Sequence, residues 1–267
     1  INTIFSGNDA FLTGNGGALF NNGDSGVSSP KIINCIFSGN YAEGDGGAIF
    51  NNGGGGVSSP LIVNSVFSGN YAGDAGGAIF NFGFLGTSTP DFANCIFWKN
   101  NAVSQGPVFF NNVANPNVSY SIVQGTSTDL NDASISANIS GTTNNGGDNK
   151  YEVNGITEFF INAPLASSAP TTEGNFHIIA SSPAINMGLN DSVQIATDLD
   201  GKPRINNGIV DIGAYEFQGP DCNLFALGVV YVDSSATSGA NNGSSWTNAF
   251  TNLQDALSAI RLCAQAD

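Results

Sequence analysis

Basic residues are scarce: six Lys and Arg stand against 21 Asp and Glu in 267 residues, a formal net charge of −15. Nucleic-acid binding needs a basic face to neutralise phosphates, and this chain has no material for one. Charge of either sign is thin, at 10% where an ordinary soluble domain carries about 25%. No apolar run approaches the ~18 residues of a membrane span, so no membrane span is expected. Histidine and methionine occur once each. What fills the chain instead is 35 Gly, 36 Asn, and many Ser and Thr, with 19 Phe in a hydrophobic fraction of 41%. That fraction can bury a sizeable core, which excludes disorder.

The sequence superimposes on itself at a period of 30 residues. Residues 31–60 read KIINCIFSGNYAEGDGGAIFNNGGGGVSSP, 61–90 read LIVNSVFSGNYAGDAGGAIFNFGFLGTSTP, and 91–120 follow in register with more drift. Residues 1–30 share the block from Gly16 onward, with a head two residues shorter, and a fifth repeat starts at Tyr120. Each repeat holds short β-favouring runs such as 31–37 and 48–51, separated by Gly-rich turns and closed by Ser-Ser-Pro or Ser-Thr-Pro. A single unit of this length cannot bury its apolar face, whereas coils stacked at ~4.8 Å can. The expected fold is all-β: a right-handed parallel β-helix, with one short capping-type helix near the C-terminus.

Period-two alternation puts Ile33, Cys35 and Phe37 on the inner face and Ile32, Asn34 and Ile36 on the outer one. Phe37, Phe67 and Phe97 then stack inside the solenoid. Ile32/Ile62/Phe92 and Ile36/Val66/Ile96 form an outer apolar stripe that another segment or chain must cover. Equivalent asparagines form three ladders along the axis: Asn34/Asn64/Asn94, Asn40/Asn70/Asn100 and Asn21/Asn51/Asn81/Asn111. Cys35 and Cys95 lie two coils apart, ~9–10 Å by the strand spacing, too far for a disulfide. Cys222 and Cys263, outside the repeats, are a possible pair.

Three segments are expected: repeats over 1–124, a long surface excursion plus a closing β block over 125–218, and a strand–turn–helix segment over 219–267. In the last, Thr251 and Gln254 suit a capping box, and Leu253, Leu257 and Ile260 with Ala256 make an apolar stripe. The start at Ile1, without an initiator Met, reads as a cut end.

The FxxN and GGAI pattern (37–40 with 46–49, 67–70 with 76–79) resembles the repeats of polymorphic outer-membrane proteins and related bacterial β-helix adhesins. The block SSPAINMG (181–188), DLDGKPR (198–204) and DIGAYE (211–216) resembles the C-terminal end of secreted proteins called choice-of-anchor Q. The segment VVYVD (229–233), NNGSSW (241–246) and 253–260 is similar to the stretch that opens a β-helix in that same family. The resemblance implies an extracellular or cell-surface bacterial protein, structural or adhesive, without enzymatic activity or a required cofactor. The segment order, closing block before opening cap, implies a head-to-tail contact in which 229–262 lies against the first coil of another copy or of a following unit, as in a stalk or filament.

Other chemistries were weighed on their residues. β-Helix lyases and hydrolases need paired carboxylates, or Ca²⁺ with a basic residue, and over residues 31–120 no coil places two acids and a base on neighbouring strand positions. His177 has no Cys, Ser or carboxylate partner in sequence reach and reads as a surface or satisfied strand residue rather than a catalytic one. Asp198-Leu199-Asp200-Gly201 has the spacing of a short Ca²⁺ loop, with Asp211 or Glu216 as further ligands, although a hairpin turn explains it as well. Phe82, Phe84 and Leu85 in the third repeat, with Trp98, suit a carbohydrate platform for surface glycans, a contact with a partner, or a core beneath a covering segment, for which 125–154 is the candidate.

Overall fold

The computed structural model describes residues 1–12, 14–124, 139–140, 144–147, 158–206, 208–219, 229–239 and 241–264. Four parallel sheets run along one axis. The first contains Ile4–Ser6, Ile36–Ser38, Val66–Ser68, Ile96–Trp98 and Ile122–Val123; the second contains Asp9–Ala10, Tyr41–Ala42, Tyr71–Ala72 and Asn101–Ala102. The third joins Leu19–Asn22, Ile49–Asn52, Ile79–Phe82, Phe109–Asn112 and Ile139–Ser140. The fourth joins Lys31–Ile33, Leu61–Val63, Asp91–Ala93, Asn117–Ser119 and Asn144–Gly147. Every pairing between the first three full repeats keeps the 30-residue register, as in Phe37↔Phe67 and Ile49↔Ile79. The chain is a parallel β-solenoid, as expected. The strands at 139–140 and 144–147 extend two of its sheets by a fifth coil; the rest of the expected excursion at 125–154 lies outside the described residues.

The double glycine of each repeat has a steric cause. Gly46 sits at φ +70°, and a Cβ on Gly47 would meet the Gly77 carbonyl oxygen of the next coil at 2.2 Å. Coils spaced by one strand width tolerate nothing larger there.

The run 31–37 is not one strand. Asn34, Asn64 and Asn94 adopt left-handed conformations (φ +51°, +49° and +53°), turning the chain from one sheet into the next. Asparagine tolerates that region because its short amide bonds locally. The corner resets the alternation and corrects the expected faces. Ile32, Ile62 and Phe92 point inward, in one buried cluster with Cys35, Phe37, Phe67 and Phe97, while Ile33, Val63 and Ala93 are buried outside that cluster. The phenylalanine stack forms as expected, with Phe5, Phe37, Phe67 and Phe97 at centroid separations of 4.7, 4.8 and 5.0 Å. A second column, Phe20/Phe50/Phe80/Phe110, runs along the third sheet.

Two of the three asparagine ladders exist. Asn40 Nδ2 donates to Asn70 Oδ1 at 2.8 Å, and Asn70 to Asn100 at 2.9 Å. Asn21, Asn51, Asn81 and Asn111 are linked in the same sense at 2.7–2.8 Å. The Asn34/Asn64/Asn94 row is no ladder, because its amides point away from the axis: Asn34 donates to the Thr197 carbonyl and Asn94 exchanges bonds with Leu189.

Cys35 and Cys95 are buried free thiols, and burial pushes Cys95 up to about 12. Only a thiolate reacts appreciably with alkylating agents. Iodoacetamide is therefore expected to leave Cys35 and Cys95 unlabelled in the native protein and to label both in denaturant, by peptide mapping. Rapid native labelling of Cys95 would contradict its placement.

The outer stripe Ile36/Val66/Ile96, continued by Ile122, is covered by the chain itself. Residues 158–217 lay Phe159, Phe160, Phe176, Ile178, Ala184, Ile212 and Ala214 on it. This closing block holds little regular structure: an antiparallel pair, Phe160–Asn162 with Asn175–Ile178, two short 3₁₀ turns, and loops. One close approach is at Gly213 (φ +108°), whose N–H donates to the Asn94 carbonyl and where a Cβ would come within 3.0 Å of the Ile96 side chain.

The terminal segment differs from expectation in three respects. The strand at 229–233 reduces to one bridge, Val232↔Phe250. The helix α1 (Leu253–Ala264) is capped by Asn252, whose Oδ1 accepts the Gln254 N–H at 2.7 Å, rather than by a Thr251–Gln254 box. The face it buries is Ala256 and Ala259 against Phe250, leaving Leu253, Leu257 and Ile260 58, 38 and 39% exposed. Asp255 of α1 accepts a bond from Ser181 of the closing block.

Candidate functional site

The closing block concentrates the titratable groups. Asp198 to Lys202 form a tight turn, with Gly201 N–H on the Asp198 carbonyl and a Thr197↔Pro203 bridge, so the hairpin reading of this motif holds. Asp198 Oδ1 accepts the N–H groups of Asp200 and Lys202, and its Oδ2 accepts that of Glu216. Asp211 accepts from Asn186 and Phe217, and Glu216 accepts from Asn206 and Asp211. Arg204, fully buried, donates through Nη2 to the carbonyls of Asp211 and Gly213 at 2.8 and 2.6 Å. Of the four candidate Ca²⁺ ligands, Asp198, Asp211 and Glu216 thus spend their oxygens on backbone N–H groups around Arg204, and Asp200 turns to His177. Among the described residues, no group of three or more His, Cys, Asp or Glu side chains is placed to hold a metal ion.

Burial pushes Asp211 up to about 6. Glu216 is pushed up to about 7 by burial and then by the neighbouring Asp211 charge. Both folded values lie above the ordinary carboxylate range, so between about pH 4 and about pH 7 the native state binds more protons than the unfolded chain. Stability is therefore expected to rise as pH falls through that window, and this contribution is lost as pH climbs past the folded values. Urea midpoints at about pH 7.5 and about pH 5 check this, with a higher midpoint expected at the acid value and a smaller difference in Glu216→Gln. A lower midpoint at acid pH in the native sequence would count against it.

His177 does have a carboxylate partner, brought from 23 residues on. Its Nε2 lies 2.7 Å from Asp200 Oδ2, its Nδ1 lies 2.7 Å from Asn175 Oδ1, and its ring stacks on Tyr215 at 4.0 Å. The imidazole draws Asp200 below the usual carboxylate range. The pair lies between two clefts of 440 and 530 Å³, whose far walls are Asn241, Asn242 and Phe250 in one and Thr237–Gly239 in the other. Asp200 and Asn175 each present an oxygen to a ring nitrogen and Tyr215 stacks on the ring, so the orientation of His177 is fixed from three sides. Sequence separation hid this pair; the only signals were the alternation of Asn175 with His177 and the second Asp of the turn.

The aromatic candidates do not form one platform. Trp98 is buried beneath the closing block, edge-to-face with Phe159 at 4.4 Å. Phe82 lies on a different sheet, against the Phe50/Phe80/Phe110 column, while Phe84, 6.4 Å from it, and Leu85 are exposed. Cys222 and the side chain of Cys263 fall outside the described residues, and so does their pairing.

The other candidate is the end of the solenoid at coil 1. Ile4–Ser6, Asp9–Ala10, Leu19–Asn22 and Lys31–Ile33 are each the outermost strand of a sheet. Ile4 and Phe20 on this end are 54 and 45% exposed, and Thr237–Gly239 of the terminal segment line a cleft together with Ile4 and Ser6. Comparison with protein-family models, curated proteins and solved structures finds no match to this chain.

Proposed function

We propose that this chain is a non-catalytic structural or adhesive unit of a bacterial cell-surface assembly, a solenoid that continues end on into another copy or a following unit as a stalk or filament. The observation that carries the reading is the coil-1 end, where four sheets stop together beside exposed Ile4 and Phe20. Open β edges are pairing templates that a protein ordinarily blunts or covers. The exposed face of α1, with Leu253, Leu257 and Ile260, gives the terminal segment a second contact surface. The closing-block acids Asp198, Asp211 and Glu216, with their oxygens on backbone N–H groups, support a structural role for that cluster. Surface glycans are a further partner, for which Phe84 is the exposed one among Phe82, Phe84 and Trp98.

Antibody against the chain, applied to intact source cells in immuno-electron microscopy, is expected to decorate extended surface projections. Incubation with acidic polysaccharides is expected to release no reducing or unsaturated ends. Labelling confined to the cell interior, or sugar cleavage, would overturn the reading.

A further inference from the structure

The two asparagine ladders have a direction. In each, the amide Nδ2 of one coil donates to Oδ1 of the next coil in sequence: Asn8 to Asn40, Asn40 to Asn70, Asn70 to Asn100, and likewise Asn21 to Asn51 onward. In the first ladder the backbone N–H of the donor residue joins in, as Asn40 N–H does on Asn70 Oδ1. Coil 1 is therefore the acceptor end of both rows. Among the described residues, none donates to Asn8 Oδ1 or Asn21 Oδ1.

The backbone edge has the matching polarity. The N–H groups of Ile36, Tyr41, Val57 and Leu61 donate to carbonyls of the preceding coil, at Thr3, Asn8, Gly26 and Pro30. Their register equivalents in the outermost strands are Ile4, Asp9, Val27 and Lys31. Those four N–H groups face the side where a preceding coil would stand. At the same end, Phe5 and Phe20 terminate the two phenylalanine columns, each with one ring face on the next coil and the other free of any phenylalanine.

From this we infer that the coil-1 end is a built acceptor for one further coil of this same repeat. That coil is parallel and in register. It brings Asn amides to Asn8 and Asn21, carbonyls to the four N–H groups, and phenylalanine rings to Phe5 and Phe20. A coil inserted antiparallel or one residue out of register would turn these groups away. The helix α1 supplies none of these partners, having neither Asn nor Phe between Leu253 and Ala264. The connection is in cis: successive coils are joined directly at Pro30–Lys31 and Pro60–Leu61, so a coil docked in this register ends beside Ile1. The inference rests on the end-on reading of the previous section, with a preceding coil of the same chain at the coil-1 end in place of another copy or a following unit.

The test duplicates residues 31–62 directly ahead of Ile1, so that Ile1 takes the place held by Val63. Hydrogen exchange is followed at Ile4, Asp9, Val27 and Lys31. In the extended chain these amides are expected to gain protection on the order of 100-fold over the unextended chain, with a higher melting temperature. Carrying Asn40→Leu and Asn51→Leu in the duplicate alone is expected to remove most of that gain. Exchange at Phe67 in both proteins reports that the original solenoid is folded. An added coil that leaves the four amides unprotected overturns the inference, while surface labelling decides the structural reading separately. Equal protection by the Leu-substituted duplicate overturns the role of the ladders. Concentration-dependent protection in the unextended chain would make the occupant a second copy and overturn the cis assignment.

Discussion

Phe67→Ala is expected to lower the free energy of unfolding by about 3–5 kcal/mol, read as a shift of the urea midpoint at unchanged m-value. Phe67 has no exposed surface and lies between Phe37 and Phe97, with ring centroids 4.8 and 5.0 Å away. Truncation removes the transfer free energy of a whole ring and opens a void that its neighbours cannot fill. Their positions are set by coils hydrogen-bonded above and below, so collapse into the cavity would break sheet pairing. The loss at Phe67 is therefore expected to exceed that at Phe5, whose ring is only partly buried at the end of the same column. A cost at Phe67 below about 1 kcal/mol would mean that the column is not the core.

The parts of this fold readable from sequence are those that repetition enforces. Thirty-residue identity places Phe37, Phe67 and Phe97 in one column because each coil hides the same position against its neighbours, and the same logic predicted the Asn40/Asn70/Asn100 row. The failures came where a residue is compatible with two local states. Asn34 reads as one more strand position, yet its left-handed turn moves Ile32 inside and sends its own amide to Thr197. Helix α1 has two faces that could be buried, and periodicity chose Leu253, Leu257 and Ile260 where Phe250 meets Ala256 and Ala259. The His177–Asp200 pair and the cover over Trp98 depend on how 158–217 closes onto the solenoid, a tertiary event with no local signature. Gly213 marks that event, since its φ of +108°, which a residue with a Cβ rarely adopts, seats the loop against Ile96.

Arg204→Met is expected to cost about 3–5 kcal/mol near neutral pH, with the damage concentrated in the closing block. The guanidinium is the one positive group facing Asp198, Asp211 and Glu216 among the described residues, and its Nη2 holds the carbonyls of Asp211 and Gly213. Methionine preserves much of the volume but leaves three largely buried carboxyls without a counter-charge and two carbonyls without a donor. Because the Gly213 carbonyl belongs to the loop seated on Asn94 and Ile96, the expected local consequence is exposure of Ile36, Val66 and Ile96. Dye binding to that apolar stripe, with retained exchange protection at Phe67, would show it. The pH dependence separates a charge role from simple packing. Without Arg204, Asp211 and Glu216 take up protons more readily, and protonation relieves the uncompensated charge. The difference between the native sequence and Arg204→Met is thus expected to shrink as pH falls from about 7.5 to about 5. A difference constant over that range would reduce Arg204 to a space-filling residue, and Arg204→Lys, which keeps the charge but not the two-carbonyl geometry, is expected to fall between the two.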